Sequence, residues 1–216
     1  MLNENDQVKY LYNKYAKNPI FYYLISLLGQ TTENSIYRKE SIDLLKLDPN
    51  STVLDAACGL GDNFKIIERY LQYDGKLIGV DISQESLKLA KGKVLKNRWK
   101  NVQLVNNSII DYKPDILFDA VLCTYAIEII PDYKLVIDKI FDLLKPNGRF
   151  SMIGMKLSSK TPYKYLNFIM NKIYKIWDVE ANRDIFKYIL SKFKRIIYYR
   201  EYFYGFYYIL NTSKMI

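Results

Sequence analysis

The sequence contains no histidine and only two cysteines, Cys58 and Cys123. Histidine is the side chain whose ordinary pKa lies closest to neutrality, so any proton transfer has to use carboxylates, tyrosine, lysine or water. Two cysteines provide neither a disulfide framework nor a cysteine cluster for zinc, and we expect no metal site. These absences exclude disulfide-stabilised scaffolds, zinc-binding modules and histidine-dependent catalysis.

Long hydrophobic runs are also absent. The longest one, from Ile20 to Leu28, is about half of the roughly 18 residues that a membrane-spanning helix needs. The first residues, Met1 to Asp6, are polar and acidic, which is not typical of a secretory signal. The sequence therefore predicts a cytoplasmic protein.

The composition is that of a globular protein, with 50% hydrophobic and 25% charged residues in a chain of 216 residues. This length suits one sizeable core, and neither an internal repeat nor a linker divides it. We predict a single domain over residues 1–216, with an N-terminal helical cap over residues 1–45 and a helical insertion over residues 155–180.

Positive charge is concentrated near the end of the chain. Residues 151–216 carry 12 Lys and Arg against 4 Asp and Glu, whereas residues 1–150 carry 20 against 19. A coding bias towards Lys, Asn, Ile and Tyr is one explanation, but it would act on the whole chain. A basic surface for an anionic partner is the other explanation, and composition leaves both open.

Short apolar runs alternate with amphipathic stretches from residue 51 onwards. The predicted strands cover residues 52–54, 76–80, 102–105, 120–123 and 149–153, and the predicted helices cover residues 62–73, 83–99 (with Ser83 as N-cap), 131–144 and 183–193. This alternation is typical of a parallel sheet with helices on both faces. Two further β-rich runs, residues 195–200 and 203–210, have a connection so short that it permits only antiparallel pairing. The predicted fold is α/β: a doubly wound, mostly parallel, seven-stranded Rossmann-like sheet with an antiparallel C-terminal hairpin.

The turn after the first predicted strand contains Gly59 and Gly61 and leads directly into a helix. Backbone N–H groups and the positive end of the helix therefore face any ligand bound there. Asp81 ends the next strand, twenty residues after Gly61, where a carboxylate suits the two hydroxyls of a ribose. This combination predicts a site for an adenosine-containing cofactor, although an ordinary strand-to-helix turn remains the alternative.

Two residues around the turn distinguish between cofactors. A dinucleotide fingerprint requires a third glycine at position 64, where this chain has Phe64. Asp55, just before the turn, would repel a pyrophosphate but would pair with a cationic amine. The sequence therefore favours a cofactor that carries an amino-acid portion.

The stretch Asp55 to Gly61 resembles the first motif of class I S-adenosylmethionine (SAM)-dependent methyltransferases, with Ala57 where that class usually has its first glycine. Residues 118–122 resemble the fourth-strand motif of the class. Residues 143–149 resemble its "LLKPGGR" turn, with Asn147 replacing a glycine. The antiparallel end of the chain fits the same class.

Within this class the chain is most similar to the ubiquinone/menaquinone C-methyltransferases and their phospholipid N-methyltransferase relatives. The similarity rests on Tyr12 to Ala16, Tyr37 to Lys39, Gly61-Asp62 and Trp99 to Val102, and the class resemblance as a whole covers about residues 37–214. It implies SAM as cofactor, S-adenosylhomocysteine as product, and SN2 transfer of a methyl group to a small lipophilic acceptor such as a quinone precursor or a lipid headgroup.

The resemblance also implies which residues bind the cofactor. Asp55 and the two glycines of the turn would hold the methionine portion. Asp81 would bind the ribose, and Ile82 and Ile109 would cover the faces of the adenine. The class usually has an aspartate near Ser108 that accepts the adenine amino group; it is absent here, so Ser108 or a neighbouring backbone group would take its place. The predicted cofactor-binding residues are Asp55, Ala57, Gly59, Gly61, Asp81, Ile82, Ser108, Ile109 and Tyr125.

Tyr125 and Glu128, just past the fourth strand, are the predicted acceptor-side catalytic residues, with Glu128 as a candidate general base. We expect both side chains to face the crevice at the switch point of the sheet. The segment Cys123 to Ala126 differs from the Asn/Asp-Pro-Pro-aromatic loop that methylates base amino groups. Leu122, rather than proline, precedes Cys123, which argues against pyrimidine C5 chemistry.

The insertion between Lys156 and Trp177 interleaves aromatic residues with five lysines. This pattern is typical of a peripheral contact with an anionic membrane at the inner surface of the cell. It is also compatible with a lid packed on the sheet, and with stacking on RNA bases. An RNA methyltransferase, and a cofactor-binding protein without catalysis, therefore remain alternative functions, and the oligomeric state is left open.

Overall fold

The computed structural model describes residues 32–215, with side chains from residue 36 onwards. The predicted N-terminal cap lies largely outside the described residues, which include only residues 32–45 of it. The helices are α1 (Thr32–Asp43), α2 (Phe64–Leu71), α3 (Gln84–Lys96), α4 (Tyr133–Leu143), α5 (Asn167–Ile176) and α6 (Ile185–Phe193). The strands are β1 (Thr52–Ala56), β2 (Lys76–Asp81), β3 (Val102–Asn106), β4 (Phe118–Thr124), β5 (Leu144–Met155), β6 (Tyr198–Tyr202) and β7 (Tyr207–Ser213), with 3-10 turns at Tyr163–Leu166 and Phe203–Gly205.

The strands form one seven-stranded sheet in the order β3-β2-β1-β4-β5-β7-β6. The first five strands pair in parallel, whereas β7 runs antiparallel to both β5 and β6. The predicted fold class is therefore confirmed, including its antiparallel C-terminal hairpin. The strand order reverses between β1 and β4, and ligands bind beyond the carboxyl ends of the strands at such a point.

Local sequence signals explain most of the elements. In α2, Phe64, Ile67 and Leu71 recur at helical spacing and are fully buried. The predicted N-cap of α3 is confirmed, because the Ser83 hydroxyl accepts a hydrogen bond from the backbone N–H of Ser86 at 3.2 Å. The start of β5 differs from the prediction: the strand pairs with β4 already at Leu144, before an irregularity in the register.

Side chains alternate between two cores, one on each face of the sheet. Leu54 and Val121 pack with α4 and α6, whereas Val53 and Leu122 pack with α2, α3 and the end of α1. On the α1 side, Tyr37 also packs against β5 and β7. Neighbouring residues of one strand therefore belong to different faces, and this alternation determines which side chains can meet at the site.

The predicted insertion contains the 3-10 turn Tyr163–Leu166, which is followed directly by α5. Tyr174 of α5 is buried with Val179 and Ala181, and Met170 and Trp177 pack against them. Within the described part of the chain, no helix has both the length and the apolar character needed to cross a bilayer.

Candidate cofactor and acceptor site

The turn between β1 and α2 has a left-handed backbone at three of its residues. Ala57, Gly59 and Gly61 have φ values of 56°, 52° and 70°. A Cβ at Gly61 would lie 2.5 Å from the ring of Phe64, so this position requires glycine on steric grounds as well. A Cβ at Gly59 would meet nothing within 4 Å. The turn therefore packs against Phe64 at Gly61 but is open at Gly59, which leaves room for a ligand at Gly59.

Asp81 connects the turn to the end of β2. Its carboxylate accepts the backbone N–H of Gly59 at 2.7 Å and that of Ser83 at 2.8 Å. Burial raises the pKa of Asp81, and these two hydrogen bonds oppose that rise. A carboxylate has about four lone-pair positions, so two bonds leave capacity to accept hydroxyl groups. That Asp81 binds a ribose stays a prediction.

Asp55 is the centre of a buried polar network to which α1, β1, β4 and the turn before α2 each contribute one residue. The Asn63 amide donates to both carboxylate oxygens of Asp55 at 3.0 Å, and to the Thr124 hydroxyl at 3.1 Å. Arg38 of α1 donates to the Asn63 amide oxygen at 2.7 Å and to the Thr124 hydroxyl at 2.8 Å. Burial raises the pKa of Asp55 to about 7, although the Asn63 amide and the Arg38 guanidinium both favour its ionised form.

Three members of this network, Arg38, Asn63 and Thr124, were not predicted as site residues. Arg38 stands in one of the stretches that carry the family resemblance, but nothing in the sequence places it beside Asp55. Asn63 follows the glycine turn by two residues, and its position just before α2 is a signal that could have suggested a site role. Thr124 ends β4, and strand ends at a switch point are where ligand contacts concentrate.

Tyr125 follows β4 directly and also has a left-handed backbone, with φ 59°. Its N–H donates to the carbonyl of Ile153 at 2.8 Å. Its ring meets Tyr207 edge-on, with centroids 5.8 Å apart, and the Arg38 guanidinium lies 5.2 Å from the ring centroid. Burial raises the pKa of the Tyr125 hydroxyl above its ordinary value. Arg38 therefore connects the Asp55 network to an aromatic wall on the same face of the sheet.

The prediction that Glu128 faces the same crevice is wrong. Its side chain is only 1% exposed and accepts the Met155 N–H and the Tyr208 hydroxyl, each at 3.0 Å. Tyr207 and Tyr208 are consecutive residues of β7, so they point to opposite faces of the sheet. Because Tyr125 contacts Tyr207 whereas Glu128 binds Tyr208, the two predicted acceptor-side residues are separated by the sheet. The assignment of Glu128 as general base thus loses its geometric basis.

The carboxyl of Glu128 is buried and only partly hydrogen-bonded. Burial raises its pKa to about 7, and one of its oxygens, Oε2, has no hydrogen-bond partner among the described residues. A Cβ at Gly154 would lie 2.4 Å from the other oxygen, so β5 passes close to this carboxyl without a side chain between them.

The predicted adenine-side residues lie beyond β2 and β3. The Asn106 amide donates to the carbonyls of Asp81 and Ile82, each at 3.0 Å, which holds the end of β3 against the end of β2. Ser108 is half-buried, and its hydroxyl accepts the N–H of Ile110 at 3.3 Å. Ile82 is half-buried, whereas Ile109 is buried in the α4 and α6 core. Their contact with adenine stays a prediction.

The sequence of this chain is similar to that of a known protein family. Residues 47–194, more than half of the chain, match the sequence profile of a methyltransferase domain family. The chain therefore belongs to that family, within the class I SAM-dependent methyltransferases.

The curated relatives include enzymes named demethylmenaquinone methyltransferase. That of Listeria monocytogenes serotype 4a is 30% identical over 118 residues, which cover 54% of this chain and 50% of the relative. That of Bacillus mycoides is 27% identical over 147 residues, covering 64% of this chain and 62% of the relative. The matched part of the chain spans about half the length of the Listeria relative.

Solved structures share the fold at low sequence identity. The N-methyltransferase NodS from Bradyrhizobium japonicum, in complex with S-adenosylhomocysteine, has a TM-score of 0.71 at 12% identity and covers 96% of this chain and 98% of its own. The geranyl diphosphate C-methyltransferase from Streptomyces coelicolor has a TM-score of 0.70 at 14% identity, covering 84% of this chain and 80% of its own. The [4+2]-cyclase SpnF also reaches 0.70 at 14% identity, with 87% of this chain and 84% of its own covered. These similarities concern the fold alone.

Proposed function

We propose that this protein transfers the methyl group of SAM to a small lipophilic acceptor, such as a quinone precursor or a lipid headgroup. The observation that carries the proposal is the convergence of Asp55, Asp81 and Arg38 at one edge of the sheet, beside open space at Gly59. When bound, SAM supplies an electrophilic methyl group on its sulfonium. The chain's own task is then to bind, to orient and to exclude water.

The residues at this edge fit the chemistry of the cofactor. A buried carboxylate requires a partner, and an ammonium beside Asp55 would provide one stronger than the neutral amide of Asn63. Arg38 presents a planar set of donors that suits a carboxylate. Asp81 would bind the ribose hydroxyls, and the turn around Gly59 would lie against the methionine portion. S-adenosylhomocysteine, which keeps these groups, would bind as the product.

The acceptor side is proposed to lie at Tyr125 and Tyr207. The aromatic rings there form an apolar wall next to the Arg38 guanidinium, which suits a flat or lipophilic acceptor better than a polyanionic one. The demethylmenaquinone methyltransferases among the relatives support a quinone precursor. A lipophilic acceptor would in turn be met at an anionic membrane surface, and we include peripheral membrane contact in the proposal.

The second candidate is methylation of RNA. It is favoured by the basic character of residues 151–216, which contain 12 Lys and Arg but only 4 Asp and Glu. The exposed aromatic side chains of that region favour it as well. A third function, cofactor binding without methyl transfer, is kept because one fold serves many chemistries.

Methyl transfer from SAM with a labelled methyl group tests these alternatives. The protein is incubated with a demethylmenaquinone analogue, with a lipid extract, and with structured RNA. We expect label in the organic phase of the first or second reaction. Label in RNA alone would favour the second candidate, and SAM binding without transfer to any acceptor would favour the third.

A further inference from the structure

The two sides of α5 differ in what they contact. On the inner side, Tyr174 is buried, and its hydroxyl donates to the carbonyl of Phe206 at 3.2 Å. On the outer side, Phe168 is 65% exposed and Ile176 is 62% exposed. We define the α5 outer face by its apolar and basic residues, which are Leu166, Phe168, Ile169, Ile173, Ile176, Lys164, Lys172 and Lys175, all of them exposed.

Such a distribution is unusual for the solvent side of a helix. A surface helix normally places charged and polar residues opposite its buried stripe. Single exposed apolar residues are common, but a contiguous set of large ones marks a contact surface. The α5 outer face therefore has the composition of a surface that is covered when the protein acts.

The charges on this face are of one sign. From Lys156 to Trp177 the sequence has five lysines and no acidic residue. Among the residues that the structure describes, Lys156 and Lys160 pair with Glu201, whereas the lysines of the α5 outer face form no ion pair. Instead, the Lys172 ammonium lies 5.9 Å from the ring centroid of Phe168. The face is thus both apolar and positively charged.

We propose that the α5 outer face docks the protein onto an anionic lipid bilayer. The apolar side chains enter the boundary between headgroups and acyl chains, and the lysines extend along them to the lipid phosphates. Charge complementarity supports this partner. An RNA surface fits less well, because Phe168 is the one ring among the five apolar side chains of this face, and Ile169, Ile173 and Ile176 give a base nothing on which to stack.

The position of α5 relates this face to the acceptor wall. Tyr174 binds the carbonyl of Phe206, the residue before Tyr207, and Tyr207 contacts Tyr125. Tyr174 therefore lies between a bilayer on the outer side of α5 and the start of β7. The delivery of a lipophilic acceptor along this path rests on the proposed function, whereas the docking itself does not.

Cosedimentation with vesicles tests the charged half of the proposal. One set of vesicles contains phosphatidylglycerol mixed with phosphatidylcholine, and the other contains phosphatidylcholine alone. Replacing Lys164, Lys172 and Lys175 by Gln is expected to lower partitioning onto the anionic vesicles about 100-fold, at about 1 kcal/mol per lysine. The matched control replaces Lys91, Lys96 and Lys100 by Gln, which removes equal charge at the β3 end of the sheet and is expected to leave partitioning unchanged.

The apolar half has its own pair of variants. Phe168→Ser should lower partitioning onto both kinds of vesicle about 10-fold or more, because it removes a ring that would be buried in the bilayer. Leu95→Ser is the control, since Leu95 of α3 is 67% exposed but belongs to another surface. A gel shift with structured RNA is run on the same proteins.

The inference is overturned if the wild-type protein does not bind anionic vesicles, if the control variants lose as much binding as the α5 variants, or if the protein binds RNA tightly and vesicles not at all. SAM affinity, measured by calorimetry on every variant, verifies folding. It also separates the two proposals: absent SAM binding in the wild type contradicts the proposed methyl transfer, while absent vesicle binding with intact SAM affinity contradicts this inference and the membrane contact but not the methyl transfer.

Discussion

Around the glycine turn, the buried side chains of Asp55 and Asn63 find hydrogen-bond partners inside the protein, and the packing is tight enough that Gly61 tolerates no Cβ. The α5 outer face is the opposite: its large apolar side chains are between 41% and 65% exposed, and its lysines have no acidic partner among the described residues. The first region is closed by protein except at Gly59, where a Cβ would meet nothing within 4 Å. The second presents large apolar and basic side chains at the surface.

This difference indicates how each region depends on its surroundings. Substitutions in the turn should change both the free energy of unfolding and the affinity for the cofactor, because the same residues serve packing and binding. Substitutions on the α5 outer face should change neither.

Gly61→Ala should lower the free energy of unfolding by about 2–4 kcal/mol, since the new Cβ meets the Phe64 ring and the backbone is left-handed. Gly92→Ala is the matched control, because a Cβ there meets nothing within 4 Å in the exposed helix α3. It should raise stability by about 0.5–1 kcal/mol. Urea unfolding of both variants measures the difference, and equal effects would show that the turn is not tightly packed.

Asp81→Ala should weaken SAM binding by about 1–3 kcal/mol, because the ribose hydroxyls lose a charged acceptor. The control is Asp119→Ala, at the amino end of β4. It removes a carboxylate that also accepts a backbone N–H, in this case from Thr52 at 2.8 Å. Calorimetric titration gives both affinities. An unchanged SAM affinity in a folded Asp81→Ala protein would mean that the ribose binds elsewhere.

Glu128→Gln should alter the pH dependence of stability rather than the reaction. Burial raises the pKa of Glu128 from its ordinary 4.5 to about 7, so between these values the folded state keeps a proton that the unfolded state releases. Stability therefore falls as pH rises through this window, by at most about 3 kcal/mol from this group, and the loss is complete above it. The pKa of Asp55, also raised to about 7, adds a fall in the same direction.

Unfolding at pH 5 and pH 8 measures this effect. The Gln variant should lose less stability between the two pH values than the wild type, because Asp55 alone then contributes among these two carboxyls. Methyl transfer should be retained, since the Glu128 side chain lies across the sheet from Tyr125. A rate loss on the order of 10² to 10⁴ would instead restore Glu128 as the general base.

Replacing Lys164, Lys172 and Lys175 by Gln should have the smallest effect on the protein in solution. The free energy of unfolding and the SAM affinity should both stay within about 0.5 kcal/mol of the wild type, as for exposed substitutions in general. Unfolding and calorimetry without vesicles measure this. A large loss of SAM affinity would couple the α5 outer face to the cofactor site and remove the contrast.

Much of the fold could be predicted because its signals are local. The buried stripe of α2, the Ser83 cap and the short connection before β7 each require only neighbouring residues. The turn from Asp55 to Gly61 was predictable for the same reason: a strand, two glycines and a helix start occupy consecutive positions.

The residues that complete the site could not be predicted in this way. Arg38 reaches Thr124 across 86 positions of sequence, and only the packing of α1 on the sheet brings them together. The misplacement of Glu128 has a related cause. Tyr125 and Glu128 are only three positions apart, yet their side chains lie on opposite faces of the sheet, because Tyr125 turns the chain with a left-handed backbone.

In the proposed complex, Asp55 receives the cationic amine of SAM. Calorimetric titration with SAM near pH 7, in buffers of different ionisation enthalpy, tests it most directly. We predict that SAM and S-adenosylhomocysteine bind while NAD does not, and that binding releases a proton, since the amine lowers the raised pKa of Asp55. In Asp55→Asn this release should disappear and binding should weaken. Binding of NAD without binding of SAM would contradict the account.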